Sequence, residues 1–190
     1  TTQDSGSLQP GLLVRSCLFL GTEFMVKSAI VTVMERAAQK AARSLRRDFN
    51  DVEYLQVSRK GPADFVSKAD QNAEDILKEE LMYAREDFGW VGEETGGQLS
   101  DKGQFWVVDP LDGTTNFLHG IPHFAISIAV VEDGQVTAGL VYDPIKDEMF
   151  VAEKDKGCTL NNRPIRSSGR DHLPDCLIST GAPFLGHGNQ

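Results

Sequence analysis

Only three cysteines occur in the 190 residues, Cys17, Cys158 and Cys176. Their number is odd, their spacing is wide and no C-x-x-C pair is present, so neither a disulfide framework nor a zinc site is encoded. Each is expected to be a free thiol acting as a small apolar side chain, in a reducing cytoplasm. Long apolar runs are missing as well. A bilayer span needs about 20 such residues, whereas the stretch 12–20 is interrupted by Arg15 and Ser16 and lacks the basic start and cleavage site of a secretory signal. No membrane partner is expected. Basic charge is in deficit, with 19 Lys and Arg against 28 Asp and Glu and a formal net charge of -9. A field of that sign repels a polyphosphate backbone, which removes nucleic acid as a main partner. Repeats and low-complexity tracts are absent too, and 40% apolar with 25% charged residues is the make-up of a globular core and its surface.

What is present begins after a polar, unpatterned stretch. Residues 1–24 read as an added or disordered leader outside the fold, because a strongly periodic segment opens at Met25. Over 25–47, Ile30, Val33, Met34, Ala37, Ala38, Ala41 and Leu45 recur at helical spacing. Arg36, Lys40, Arg43, Arg46 and Arg47 occupy the rest of the wheel, which predicts an amphipathic helix with a solvated basic face. A loop is expected over 48–66 around Gly61-Pro62. Ser67, three residues before Asp70, marks the start of a second helix whose apolar face is Ala73, Ile76, Leu77, Leu81 and Ala84. The chain then turns through Gly89 and Gly92. Strands are expected at 105–108, 124–131, 135–142 and 148–152, with a hairpin turn at Asp133-Gly134 and another turn at Lys156-Gly157. A further strand at 176–180 would begin something new. Two helices followed by mainly antiparallel strands argue for a layered α+β domain rather than repeating βαβ units.

Chemistry concentrates in Trp106-Val107-Val108-Asp109-Pro110-Leu111-Asp112-Gly113-Thr114-Thr115-Asn116. An apolar strand fixes Asp109, and Pro110 is expected to turn the chain so that Asp112 points back to the same site. Two such carboxylates must either share a proton or hold a cation. Gly113 and Thr114, at a helix start, offer N–H groups to a phosphate. Glu93, in Gly92-Glu93-Glu94 behind the apolar pair Trp90-Val91, brings a third acid, and hard oxygen donors suit Mg2+. Divalent ions aid phosphate-ester hydrolysis by neutralising the ester and making hydroxide available near neutral pH. Taken singly, Asp112-Gly113 also reads as a turn and Glu93-Glu94 as a solvated loop; their joint occurrence favours the metal reading. Enzymes that form an aspartyl phosphate carry D-x-D-G-T with the acids two apart. Here Leu111 takes the second position and the acids are three apart, which points to metal-activated water. His119 and His123 flank Gly120-Ile121-Pro122 and are expected to pack or face solvent. His172 and His187 have no partner at ligand spacing.

Gly92-Glu93-Glu94 followed by Asp109-Pro110-Leu111-Asp112-Gly113-Thr114-Thr115-Asn116 resembles the inositol monophosphatase family, whose signature is G-E-E and then D-P-[IL]-D-G-T-x-N. The likeness covers 25–190, takes in Lys60 and Asp70, and with Leu118-His119-Gly120-Ile121-Pro122 is most similar to the bacterial branch. It implies an α+β fold, the layered α-β-α-β-α sandwich of the inositol monophosphatase and fructose-1,6-bisphosphatase type. Residues 25–174 would form the N-terminal metal-site domain, and 175–190 the start of a truncated C-terminal α/β domain.

The same resemblance implies two or three Mg2+ ions, with Glu93, Asp109 and the carbonyl of Leu111 on one and Asp109 and Asp112 on a second. Glu93, Thr114 and Asp70 would be the catalytic residues, Thr114 positioning the attacking water under the orientation of Asp70. As an acid at a helix start, Asp70 reads equally well as a cap. Gly113 and Thr114 would bind the phosphate. The implied activity is Mg2+-dependent hydrolysis of inositol monophosphate, or a similar small polyol phosphate, with Li+ sensitivity, a homodimer and a cytoplasmic location. The family's later W-D-x-x-A-G motif, which supplies a further metal-binding Asp, is missing: Trp90 and Trp106 are the only tryptophans and each precedes Val. A chain that stops at Gln190 is therefore expected to be weakly active at best and part of a longer enzyme. The competing expectations are a catalytically incompetent fragment or interaction protein that keeps the acids as structure, and a superfamily phosphatase for a nucleotide 3'-phosphate or sugar bisphosphate.

Overall fold

The computed structural model describes residues 27–55 and 62–179. The expected leader, Cys17, Met25, Lys60, Gly61, Thr180, His187 and the end at Gln190 lie outside the described residues. Helix α1 is Ala29–Leu55 and helix α2 is Pro62–Ala84. Both exceed the lengths that periodicity predicted. α1 continues past Arg47 because Phe49 and Val52 prolong the stripe of Met34, Ala38, Ala41 and Leu45. Val52 is buried and Phe49 packs on the core, while the charges that suggested a loop occupy the outer side. α2 begins at Pro62, whose fixed φ and missing N–H suit a first helical position. Val66 and Ala69 lead its buried stripe into Ala73, Leu77 and Leu81. Ser67 therefore lies inside the helix and caps nothing.

The basic face of α1 is largely turned on the protein itself. Arg36 and Lys40 pair with Glu79 and Glu80 of α2, Arg47 pairs with Asp48, and Arg46 donates to the Pro144 carbonyl (3.1 Å).

Among the described residues, seven strands form one sheet in chain order: β1 Gly89–Gly92, β2 Gln104–Asp112, β3 Ala125–Glu132, β4 Gln135–Asp143, β5 Glu148–Glu153, β6 Gly157–Leu160 and β7 Arg163–Ile165. β1 runs parallel to β2, and every later pair is antiparallel. Helix α3, Thr114–Leu118, joins β2 to β3. The β3–β4 hairpin turns at Asp133 and Gly134, both with positive φ (47° and 76°), as a two-residue turn of this hand requires.

Three departures from the sequence reading matter. β1 stands where a turn was expected, its two glycines having disguised it. A Cβ at Gly89 would meet the Phe105 ring at 2.3 Å, and one at Gly92 would meet Glu74 Oε1 at 2.2 Å, so these glycines mark close approach. β2 runs on through Pro110 to Asp112 instead of ending at 108. The strand expected at 176–180 is not formed over 176–179, which follow a short 3-10 turn at Leu173–Asp175. Leu177 and Ile178 are 93% and 70% exposed, with no second layer among the described residues to bury them.

α1 and α2 share one core with the inner residues of the sheet, among them Trp106, Val108, Ile126, Ile128, Val130, Leu140 and Tyr142. The opposite sheet face leaves Val141 and Phe150 exposed. The described residues thus supply a helical layer and a sheet, a part of the layered arrangement. Cys158 and Cys176 are free thiols, and Cys158 Sγ donates to the Ile165 carbonyl (3.2 Å). No described helix is long and apolar enough to cross a membrane.

Leu77 is fully buried between the helices and the sheet. Leu77→Ala is expected to lower the unfolding free energy by about 2–5 kcal/mol, read from urea denaturation of the two proteins side by side.

Candidate functional site

The acids meet where β1 and β2 end. Their parallel register sets Gly92 beside Val108, and the Glu93 N–H donates to the Val108 carbonyl (3.1 Å), so Glu93, just past the end of β1, stands level with Asp109 inside β2. The Glu93 carboxyl comes within hydrogen-bonding reach of Asp109.

Asp112 reaches this side of the sheet through a slip in β2. Along a regular strand, residues three apart point to opposite faces. Here Trp106, Val108 and Pro110 are buried in alternation, Leu111 is buried out of turn, and Asp112 is exposed. The ladder to β3 shifts at the same place: Asp109 stands opposite Ser127 and Asp112 opposite Ala125, three steps against two. This is a β-bulge, and its extra residue returns Asp112 to the side of Asp109. Pro110 tolerates the interruption because it has no N–H to offer the ladder. The Leu111 N–H donates to Asp109 Oδ1 (3.0 Å) and pins the bulge. The turn expected at Pro110 is thus replaced by a bulged strand that brings the two acids to one side.

Asp70 enters from α2. It is 3% exposed, and its Oδ1 has no hydrogen-bond partner. Burial raises its pKa to about 7, with Glu94, Glu93, Asp109 and Glu74 adding repulsion. Asp109 is raised as well, by burial first and then by Glu93 and Asp112, while the Leu111 N–H pulls the other way. The capping reading of Asp70 is overturned, since α2 starts at Pro62 and Asp70 lies well inside it. The Thr114 hydroxyl donates to the Leu111 carbonyl (3.0 Å) and not to Asp70, so the expected Thr114–Asp70 pair is not made.

Gly113 has φ 94°, and a Cβ there would meet the His123 carbonyl at 3.0 Å. Asn116 and Phe117, farther along α3, hold the helix in place. Asn116 Nδ2 donates to the His123 carbonyl (2.7 Å), and the Phe117 ring packs on Phe49 and Phe124 at 5.4 and 4.9 Å, holding α3 to α1. His119, His123 and His172 are exposed.

One residue escaped the sequence reading. Glu74 lies one helical turn beyond Asp70 on the same face of α2 and is 1% exposed. Its carboxylate accepts the N–H of Glu94 (2.8 Å), the N–H of Thr95 (3.1 Å) and the Thr95 hydroxyl. The available signal was an acid four residues after Asp70, beside the apolar positions Ala73 and Leu77.

Among the described residues, no three His, Cys, Asp or Glu side chains are already gathered as a metal-holding group. The donor chemistry nevertheless fits a hard divalent cation. Every candidate ligand is an oxygen, Asp70 Oδ1 is buried and unpaired, and the charges that raise Asp70 and Asp109 all belong to other acids. Glu93 stands level with Asp109, Asp112 follows the bulge at the end of β2, and Gly113 and Thr114 come next at the start of α3.

The sequence profile of the inositol monophosphatase family matches residues 26–187. The chain belongs to the inositol monophosphatase family. It is 52% identical over 167 residues to the inositol-1-monophosphatase of Rhizobium meliloti (strain 1021), covering 87% of this chain and 62% of that protein. It is also 41% identical over 151 residues to the Nus factor SuhB of Xylella fastidiosa (strain Temecula1), covering 80% of this chain and 54% of that protein. Among solved structures of this fold, the native extragenic suppressor protein suhB from Bartonella henselae superposes with a TM-score of 0.74 at 52% identity, over 84% of this chain and 62% of that one. This member of the inositol monophosphatase family therefore spans 54–62% of the length of these relatives.

The raised carboxyls make the metal-free protein sensitive to pH. Between the ordinary Asp value of 3.8 and about 7, the folded chain keeps a proton on Asp70 that the unfolded chain has released. Stability from this group is full below the lower value and is lost as pH rises through the higher one. In the presence of a chelator, the thermal midpoint is expected to fall between pH 5 and pH 8, and Asp70→Asn is expected to flatten that fall and raise the midpoint at pH 8.

Proposed function

We propose that this protein is a Mg2+-dependent phosphomonoesterase that hydrolyses inositol monophosphate, or a similarly small polyol phosphate, to inositol and phosphate. The observation that carries the reading is the group of acids along the β1–β2 pair, Glu93, Asp109 and Asp112 with Asp70 behind them, which make no ion pair with a basic side chain among the described residues and lead into α3. The name of the Rhizobium relative supports the choice of substrate.

In this proposal Glu93, Asp109 and the Leu111 carbonyl hold one ion, and Asp109 and Asp112 a second. When bound, such ions neutralise the ester and lower the pKa of water. The protein's own groups do the rest. The first hydrogen bond of α3 runs from the Phe117 N–H to the Gly113 carbonyl (3.1 Å), so the Gly113 and Thr114 amides precede it and receive the phosphate. Glu93, Asp70 and Thr114 remain the proposed catalytic residues, with Asp70 and Thr114 positioning the attacking water. For that, Thr114 must turn its hydroxyl away from the Leu111 carbonyl, a movement that also frees this carbonyl as a ligand.

Inhibition by Li+ and a homodimer belong to the same reading. So does the division into a metal-site domain, 25–174, and a second domain opening at 175–190, with the outer sheet face of Val141 and Phe150 available to further layers. The SuhB names among the relatives support a second reading, an interaction protein that keeps the acids as structure.

Phosphate release from inositol 1-phosphate by the natural gene product, with and without Mg2+ and Li+, separates the two. The first reading expects Mg2+-dependent turnover that Li+ suppresses; its absence supports the second. Asp112→Asn, at an exposed position, is expected to fold like the parent and lose at least about tenfold in turnover, a metal ligand being worth no less than an outer-shell partner. Unchanged turnover in that variant would remove Asp112 from the site.

A further inference from the structure

We propose that Glu74 is a positioning residue: by holding the backbone of Glu94 and Thr95, it sets where the Glu93 carboxyl meets Asp109. The proposal rests on the phosphatase reading for its consequence, but its geometry is independent of it.

The loop that carries Glu93 is tied at three points. Before the tip, the Glu93 N–H continues the β1–β2 pairing by donating to the Val108 carbonyl (3.1 Å). Around the tip, the Gly92 N–H donates to the Gly96 carbonyl (3.0 Å), closing the loop on itself. At the tip, the amides of Glu94 and Thr95 turn inward onto Glu74, the first to Oε2 and the second to Oε1, which also takes the Thr95 hydroxyl. Glu74 therefore satisfies three donors of the two residues that directly follow Glu93. The Trp90 indole N–H adds to the chain by donating to Thr95 Oγ1 (3.0 Å).

A buried carboxylate is costly unless its lone pairs are filled. Glu74 meets that condition by means of this loop, so the loop and the acid fix each other. Asp70, four residues earlier on the same helix face, has no such donors at its Oδ1. The neighbouring glycine fits the same account. A Cβ on Gly92 would stand 2.2 Å from Glu74 Oε1 and 2.6 Å from its Cδ, so Gly92 is the space through which Glu74 reaches the loop. The Gly-Glu-Glu motif thus pairs a site acid with the glycine that admits its support.

Glu74→Gln keeps the shape of the side chain. It serves at most one side of the loop, because its amide NH2 then faces an N–H donor in place of an oxygen. Two measurements test the proposal, the first on the 190-residue chain and the second on the natural gene product used for the phosphate-release assay. In the metal-free protein, hydrogen exchange of the Glu94 and Thr95 amides is expected to quicken at least tenfold, with the amides of β3 and β4 unchanged. Unaltered protection at those two amides would overturn the proposal.

In the Mg2+-loaded protein, the Mg2+ concentration for half-maximal phosphate release is expected to rise about 10–100-fold while turnover at saturating Mg2+ changes little. Leu77→Ala, from the same helix, serves as the control for lost stability alone: it should lower the thermal midpoint and move neither readout. If Glu74→Gln behaves like Leu77→Ala, Glu74 is structural only and the proposal falls. Should Glu74→Gln not fold, Thr95→Val, which removes one of the three donors, is expected to give a smaller shift of the same sign, and no shift overturns the proposal. If the parent neither takes up Mg2+ nor releases phosphate, the phosphatase reading fails, and the exchange measurement alone decides the role of Glu74.

Discussion

One lost step in β2 governs the acidic end of the sheet. Had the strand kept its alternation past Pro110, the next inward position would have been residue 112, and a carboxylate would have entered the core beneath α2. The bulge gives that place to Leu111, which is fully buried, and returns Asp112 to the open side. The middle of the Asp-Pro-Leu-Asp run thus has a physical reading. Pro110 withdraws a donor from the ladder where it breaks, and Leu111 fills the space that the break would otherwise leave to an acid.

Around this slip the protein gathers negative charge and compensates it unevenly. α2 contributes two buried acids one turn apart, and they have opposite fates. Glu74 is surrounded by donors and belongs to the scaffold; Asp70 is left with an unpaired oxygen and a pKa near neutrality. An uncompensated buried group withholds stability from the fold, and any ligand that satisfies it returns that stability on binding. Holding the loop falls to Glu74, and Asp70 is left without a donor.

Features governed by near neighbours were readable in the sequence. Asp133-Gly134 sat between alternating strands and formed its hairpin, and the acids at 93, 109 and 112 announced themselves by type and spacing. What escaped had its cause far along the chain. Gly89 looked like a turn because the Phe105 ring that excludes its Cβ arrives on the next strand. Pro110 looked like a corner because a bulge is defined only against the partner strand β3. Ser67 looked like a cap although α2 already opens five residues earlier, at Pro62, and its buried stripe at Val66. Glu74 read as one acid among many, since the amides that need it come twenty residues later.

The unbroken strand order carries a further consequence, for synthesis. Each strand pairs with the one made just before it, so closing the sheet never requires a distant segment to be found. The entropy lost in joining such near neighbours is small, and pairing can proceed as the polypeptide leaves the ribosome. By the time Ile165 has emerged, all seven strands are available beneath two helices already made, and whatever is translated afterwards meets a finished platform.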